Sequence, residues 1–184
     1  MKITELQIEG LKLIEPKVFP DNRGYLYESY SAKHWNYDSM SVNFVQDNIA
    51  YNHKKNTVRG MHYQEKNYQA KLVSCVKGAI IDVAVDVRRD SKTFGKSVSV
   101  KLSESNNHQL WIPKGFAHGY RTLVDDTIVT YKADEFYSPD DYRGFIWDDD
   151  VVNIDWGIDF DGEIILSEQD KNYGSFNKCF GLES

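Results

Sequence analysis

Two segments of the chain carry residue types suited to moving protons. The first is Arg59-Gly60-Met61-His62-Tyr63-Gln64, followed by Gln69-Ala70-Lys71-Leu72-Val73; the second runs from Trp111 through Pro113 and Gly115 to His118-Gly119-Tyr120. An imidazole titrates near neutral pH, so His62 or His118 held in a cavity could act as a general base. Each also has a plainer reading. His62 fits a core histidine satisfied by a neighbour, and the glycines flanking His118 suit an ordinary tight turn as well as a close approach by a ligand.

On a regular strand His62 and Gln64 share a face and Arg59 points away. Arg59 and His62 therefore serve one cavity only if the chain bends or bulges at Gly60. Tyr131, in Thr127-Ile128-Val129-Thr130-Tyr131-Lys132, falls on the same side as Val129. With 12 tyrosines in the chain, packing is the default role for any one of them. Asp170 closes Ser167-Glu168-Gln169-Asp170, which reads as a helix capping box; a functional role requires it to reach His62. A three-ligand metal site is hard to assemble, because the residue two after His62 is Gln64 and His53, His34 and His108 sit in polar, loop-like surroundings. No metal is expected.

The elements that must hold these residues read as strands. Alternation dominates from Leu72 to Leu102, with Ile81, Val83, Val85 and Val87 on one face and Asp82, Ala84 and Asp86 on the other. Tyr25–Tyr30, Val42–Asn48, Gln109–Ile112 and Thr127–Lys132 are further strand candidates, punctuated by turns such as Asp21-Asn22-Arg23-Gly24. Helical signals are few and short. The pattern predicts an all-β jelly roll or sandwich, with the barrel built from the strands after Asn48 and the N-terminal part adding edge strands or reaching to a partner subunit.

Length and charge narrow the function classes. A chain of 184 residues fits one domain spanning residues 1–184. A net charge of -6 argues against nucleic acid, whose binding needs a basic face, yet permits one nucleotide-linked ligand held by a few local cations. The opening Met1–Leu13 is broken by Glu5 and Glu9 and no apolar run reaches bilayer length. With Cys75 and Cys179 as the two cysteines, reduced thiols in a cytoplasmic protein without membrane contact are expected.

Read together, Val18–Gly24, Phe44–Asn48, Arg59–Gln64, Gln69–Val73, Asp82–Asp86, Gly115–Gly119 and Ser167–Asp170 resemble, in order and spacing over nearly the whole chain, the dTDP-4-dehydrorhamnose 3,5-epimerase family of the cupin superfamily. That resemblance implies a jelly roll that works without metal or cofactor on dTDP-4-keto-6-deoxyglucose or a similar nucleotide sugar. It implies that His62 is the base, Asp170 holds its imidazole, Lys71 faces the oxygen on C4 with His118 close by, and Tyr131 is the acid on the opposite face. Arg23 and Arg59 would meet the diphosphate, while Gln46, Asn48 and Glu28 make polar contacts. It further implies a homodimer in which the segment near Arg23 and Glu28 comes from the second subunit.

The chain departs from the family pattern at Gln169, where lysine is frequent, at Leu26, where an aromatic is common, and after Tyr137-Ser138-Pro139, where Asp140-Asp141-Tyr142-Arg143 lacks a glutamate contact. These departures are expected at the rim of the nucleotide site. Three other readings use the same residues: an epimerase acting at C3 or C5 alone, a ketoisomerase, and a non-catalytic jelly roll that binds carbohydrate or nucleotide.

Overall fold

The computed structural model describes residues 1–35, 40, 42–157 and 162–182. In chain order its strands are β1 (Lys2–Glu5), β2 (Lys12–Glu15), β3 (Val18–Asp21), β4 (Gly24–Tyr27), β5 (Gln46–Asn52), β6 (Val58–Gln64), β7 (Lys71–Lys77), β8 (Ala79–Asp86), β9 (Ser97–Ser103), β10 (Gln109–Ile112), β11 (Phe116–Thr122), β12 (Thr127–Ala133) and β13 (Tyr142–Gly144). Helices are short: α1 (Ala32–Trp35), α2 (Glu168–Lys171) and α3 (Phe176–Phe180). None among the described residues is long and apolar enough to cross a membrane.

Two antiparallel sheets form the body, ordered β1-β2-β10-β7-β12-β5 and β13-β6-β11-β8-β9, while β3 and β4 make a separate hairpin. From β5 to β13 the chain passes to the other sheet at every connection except the step from β8 to β9. This shuttling is the jelly-roll pattern, and it brings residues distant in sequence to the same interior. Loops of this kind delay contact formation but cost little in stability, because closure entropy grows only slowly with length.

Three apolar clusters hold the layers. One lies between the sheets and joins Val73, Cys75, Ile80, Ala84, Leu102, Leu110, Phe116 and Val129. A second covers the outer face of the five-stranded sheet, where Val83, Val85 and Val87 meet Phe145, Trp156, Phe176 and Phe180 of the C-terminal region. The third packs Leu72, Trp111 and Ile14 against Met40, with Tyr30 and Phe44 beside them. Neither Cys75 nor Cys179 is in a disulfide among the described residues.

The alternation expected on β8 is present, but both of its faces are buried, one inside the sandwich and one beneath the C-terminal segment. Gln109–Ile112 forms as expected, and Thr127–Lys132 extends one residue further to Ala133. The strand expected over Val42–Asn48 begins instead at Gln46 and runs to Asn52, pairing Gln46 with Ala133 and Asn52 with Thr127. Its pattern is inverted: Ile49 and Tyr51 face outward, 77% and 45% exposed, while Asn52 is buried. A strand with polar residues inward escapes a search for buried apolar period.

Candidate active site

A cavity of about 710 Å³ opens between the sheets, within the size range of small-ligand sites. Eight of the ten candidate residues line it: His62, Asp170, Tyr131, Lys71, Gln46, Asn48, Arg59 and His118. Arg23 and Glu28 do not. Arg23 lies on the β3–β4 hairpin, its guanidinium 2.6 Å from Asp21 and 84% exposed; Glu28 follows that hairpin and is also exposed.

The bulge required at Gly60 exists. In the β6–β11 ladder His62 pairs with His118 and Arg59 with Tyr120, three residue steps on one strand against two on the other. The extra residue turns Arg59 to the face of His62. Gly60 has φ +122°, and a Cβ there would stand 2.6 Å from Gly119 Cα and 2.8 Å from the His118 carbonyl oxygen. Only glycine meets both conditions.

Opposite, the six-stranded sheet aims Lys71 and Tyr131 inward through the β7–β12 pairing, in which Tyr131 faces Val73 and Ala133 faces Lys71. Asn48 stands across from Tyr131 on β5. The Asn48 side-chain NH2 is buried without a hydrogen-bond partner among the described residues, so a ligand acceptor would satisfy it. Gln46 Nε2 donates to Asn48 Oδ1 at 2.8 Å, and Arg59 Nε donates to Asn52 Oδ1 at 2.9 Å.

His62 Nε2 lies 2.5 Å from Asp170 Oδ1, with the carboxylate side chain 4% exposed and the imidazole 17%. The Ser167–Asp170 segment both caps a helix and reaches His62. The Ser167 hydroxyl caps α2 by accepting the Asp170 backbone N–H at 3.0 Å, and the capped turn presents the Asp170 side chain to His62. A second imidazole–carboxylate pair lies alongside, His118 Nε2 standing 2.8 Å from Asp82 Oδ1. The other oxygen of Asp82 is buried without a hydrogen-bond partner among the described residues.

Burial lowers the pKa of His118 below that of a free imidazole, against the pull of Asp82. It also lowers that of Lys71 to about 8, again opposed by Asp82. The amine therefore keeps its proton at neutral pH, 5.6 Å above the Tyr131 ring. Burial raises the pKa of the Tyr131 phenol, which thus stays protonated. A base backed by a carboxylate, a buried cation and a protonated phenol in one cavity are suited to removing a carbon-bound proton, holding the resulting oxyanion and returning a proton elsewhere.

The departures from the family pattern do not all sit at a rim. The Tyr142 ring centroid is 5.0 Å from that of His62, and the Tyr173 centroid is 5.7 Å away. Gln169 Nε2 donates to the Tyr173 hydroxyl at 2.8 Å. The cause is β13, which pairs Tyr142 with Gln64 and Gly144 with His62, so that Tyr142 becomes a diagonal neighbour of the histidine. Sequence reading passed over Tyr142 and Tyr173, since a three-residue strand carries no periodic signal. The signal for Asp82 was available: an acid on the same strand face as the buried Ile80 and Ala84.

Comparison with known proteins agrees with this geometry. The sequence profile of the dTDP-4-dehydrorhamnose 3,5-epimerase family matches residues 5–178. The dTDP-4-dehydrorhamnose 3,5-epimerase of Escherichia coli K12 is 41% identical over 100% of this chain and 98% of its own. A crystal structure of dTDP-6-deoxy-D-glucose-3,5-epimerase from Legionella pneumophila with dTDP-4-keto-L-rhamnose is 41% identical, with a TM-score of 0.91 over 96% of this chain and 93% of that one. ChmJ, a 3'-monoepimerase from Streptomyces bikiniensis solved with dTDP-quinovose, is 31% identical, with a TM-score of 0.87 over 96% of this chain and 90% of its own. With the fold, the cavity and the sequence match in agreement, the chain belongs to the dTDP-4-dehydrorhamnose 3,5-epimerase family.

Proposed function

We propose that this protein is an isomerase that epimerises a dTDP-linked 4-keto-6-deoxyhexose at C3 and C5, giving dTDP-4-dehydro-L-rhamnose. The observation that carries the reading is the His62–Asp170 contact of 2.5 Å in a cavity that also holds Lys71 and Tyr131. The C4 ketone acidifies the hydrogens on both neighbouring carbons. His62 takes one of them, and Asp170 fixes the tautomer and stabilises the imidazolium that forms. Negative charge moves to the C4 oxygen, where the Lys71 ammonium stabilises it, with His118 alongside. Tyr131 delivers a proton to the opposite face of the same carbon, which inverts it. Base catalysis of this kind contributes about 10²–10⁴-fold, and a preorganised donor at the oxyanion about 10²–10³-fold more.

Arg59 and the polar pair Gln46–Asn48 fit the nucleotide diphosphate and its flank. Arg23 and Glu28 complete the site as residues of the second subunit of a homodimer. Support comes from their place on or just after a hairpin that exposes Phe19 (51%), Tyr25 (54%) and Leu26 (74%), an apolar surface larger than isolated exposed side chains produce.

The test is incubation with dTDP-4-keto-6-deoxyglucose in deuterated water, reading label by NMR. Deuterium at C3 and C5 is expected, and none with His62→Ala. Label at one carbon alone would assign a single-site epimerase, the activity carried in the name of ChmJ. Undiminished exchange in His62→Ala would remove the base from the mechanism.

A further inference from the structure

A histidine held by one hydrogen bond keeps a degree of freedom. The 2.5 Å contact from Nε2 to Asp170 fixes one ring nitrogen, but the imidazole can still swing about that contact and about its own side-chain torsions. A base that abstracts a carbon-bound proton must point its other nitrogen at the carbon within a narrow cone, and Nδ1 of His62 has no hydrogen-bond partner among the described residues to aim it. What surrounds the ring is aromatic. Tyr142 lies at 5.0 Å with an interplanar angle of 41°, and Tyr173 at 5.7 Å with an angle of 64°.

Both rings are themselves held. Tyr137 meets Tyr142 edge-on at 5.3 Å. Gln169 donates to the Tyr173 hydroxyl, and Gly144 gives Tyr173 its room, since a Cβ at that position would stand 2.5 Å from Tyr173 Cε2. Burial raises the phenol pKa of Tyr142, and that of Tyr173 to about 12, so both rings are neutral at neutral pH. Gln169 and Tyr142, both in segments that depart from the family pattern, therefore belong to one structure: a neutral aromatic wall against the imidazole.

We propose that Tyr142, together with Tyr173, is a positioning residue for His62, its ring restricting the imidazole to the orientation in which Nδ1 faces the substrate carbon. The role belongs to the ring, through van der Waals contact and edge-to-face geometry, and not to the hydroxyl. It rests on the assignment of His62 as the base. A misaimed reacting group can cost about 10²-fold in rate while leaving distant binding contacts intact.

The test compares Tyr142→Leu, Tyr142→Phe and Tyr173→Leu by the rate of deuterium incorporation from dTDP-4-keto-6-deoxyglucose, with dTDP affinity measured by calorimetry on the same preparations. Tyr142→Leu is expected to slow exchange by roughly 10- to 100-fold with dTDP affinity retained. Tyr142→Phe, which keeps the ring, recovers most of that loss, and Tyr173→Leu slows exchange in the same direction. Retained dTDP affinity shows that a slow variant is folded; should Tyr142→Leu fail to fold, the Phe variant and Tyr173→Leu carry the test.

The proposal is overturned if Tyr142→Leu exchanges at the native rate, if dTDP affinity falls in step with rate, or if Tyr142→Phe is as slow as Tyr142→Leu. Native exchange in Tyr142→Leu beside a dead His62→Ala would remove the wall and leave the epimerase reading intact. Exchange that survives in His62→Ala would remove that reading itself.

Discussion

Lys71 is pulled two ways by its burial. Desolvation lowers its pKa from the ordinary 10.5 to about 8, which favours the neutral amine, while the proposed reaction needs the cation. As pH rises through 8, Lys71 loses its proton and the oxyanion loses its partner, so the exchange rate should fall along an alkaline limb near that value. Stability should move the other way. Between about 8 and 10.5 the folded protein has released this proton and the unfolded chain still binds it, so the Lys71 contribution raises stability with pH across that window. Lys71→Met should abolish the limb, lower exchange by about 10²–10³-fold and remove the rise in stability between about 8 and 10.5 that this proton causes. Rate profiles and melting curves on the same samples check both halves. A native rate in Lys71→Met would remove Lys71 from the reaction. The residues of this site were legible by type, yet two neighbours of His62 were not: nothing in the spacing of Tyr142 or Tyr173 tells that their rings converge on an imidazole.

The element that matters most is the bulged strand β6. Period-two alternation says that Arg59 and His62 diverge, and their sharing a cavity required a break at Gly60; the register shift opposite Gly119 supplies it. Gly60→Ala tests the element and not the chemistry. The new methyl group would meet backbone atoms at 2.6 and 2.8 Å, which cannot rotate aside, and alanine would have to adopt φ +122°. A loss of about 1–3 kcal/mol in denaturant unfolding is expected from the backbone conformation alone, together with weakened dTDP affinity as Arg59 swings out. An alanine variant that melts and binds like the native protein would mean that the strand has another way to bring the two side chains together. Elsewhere the same alternation misled. In β5 three of the four inward residues are polar, and Gln46 and Asn48 line the cavity, so the rule that buried means apolar placed the strand four residues early.

At the scale of the whole molecule the open matter is the hairpin of β3 and β4. Arg23 and Glu28 do not line the cavity that holds His62, and Phe19, Tyr25 and Leu26 of the hairpin stay exposed, which is how a segment that completes a neighbour's site would look in a lone subunit. Sequence could suggest this only through resemblance, because no periodicity tells a strand which molecule it will join. The consequence is testable by mixing two inactive proteins. One carries Arg23→Ala with His62 intact and the other carries His62→Ala with Arg23 intact. If each site takes its base from one subunit and its arginine from the other, a mixed dimer holds one site with both residues and one with neither. Random reassortment of equal amounts makes half the dimers mixed, so activity should return to about a quarter of the native value. If Arg23 serves its own chain, every site in every dimer lacks one residue, and mixing restores nothing.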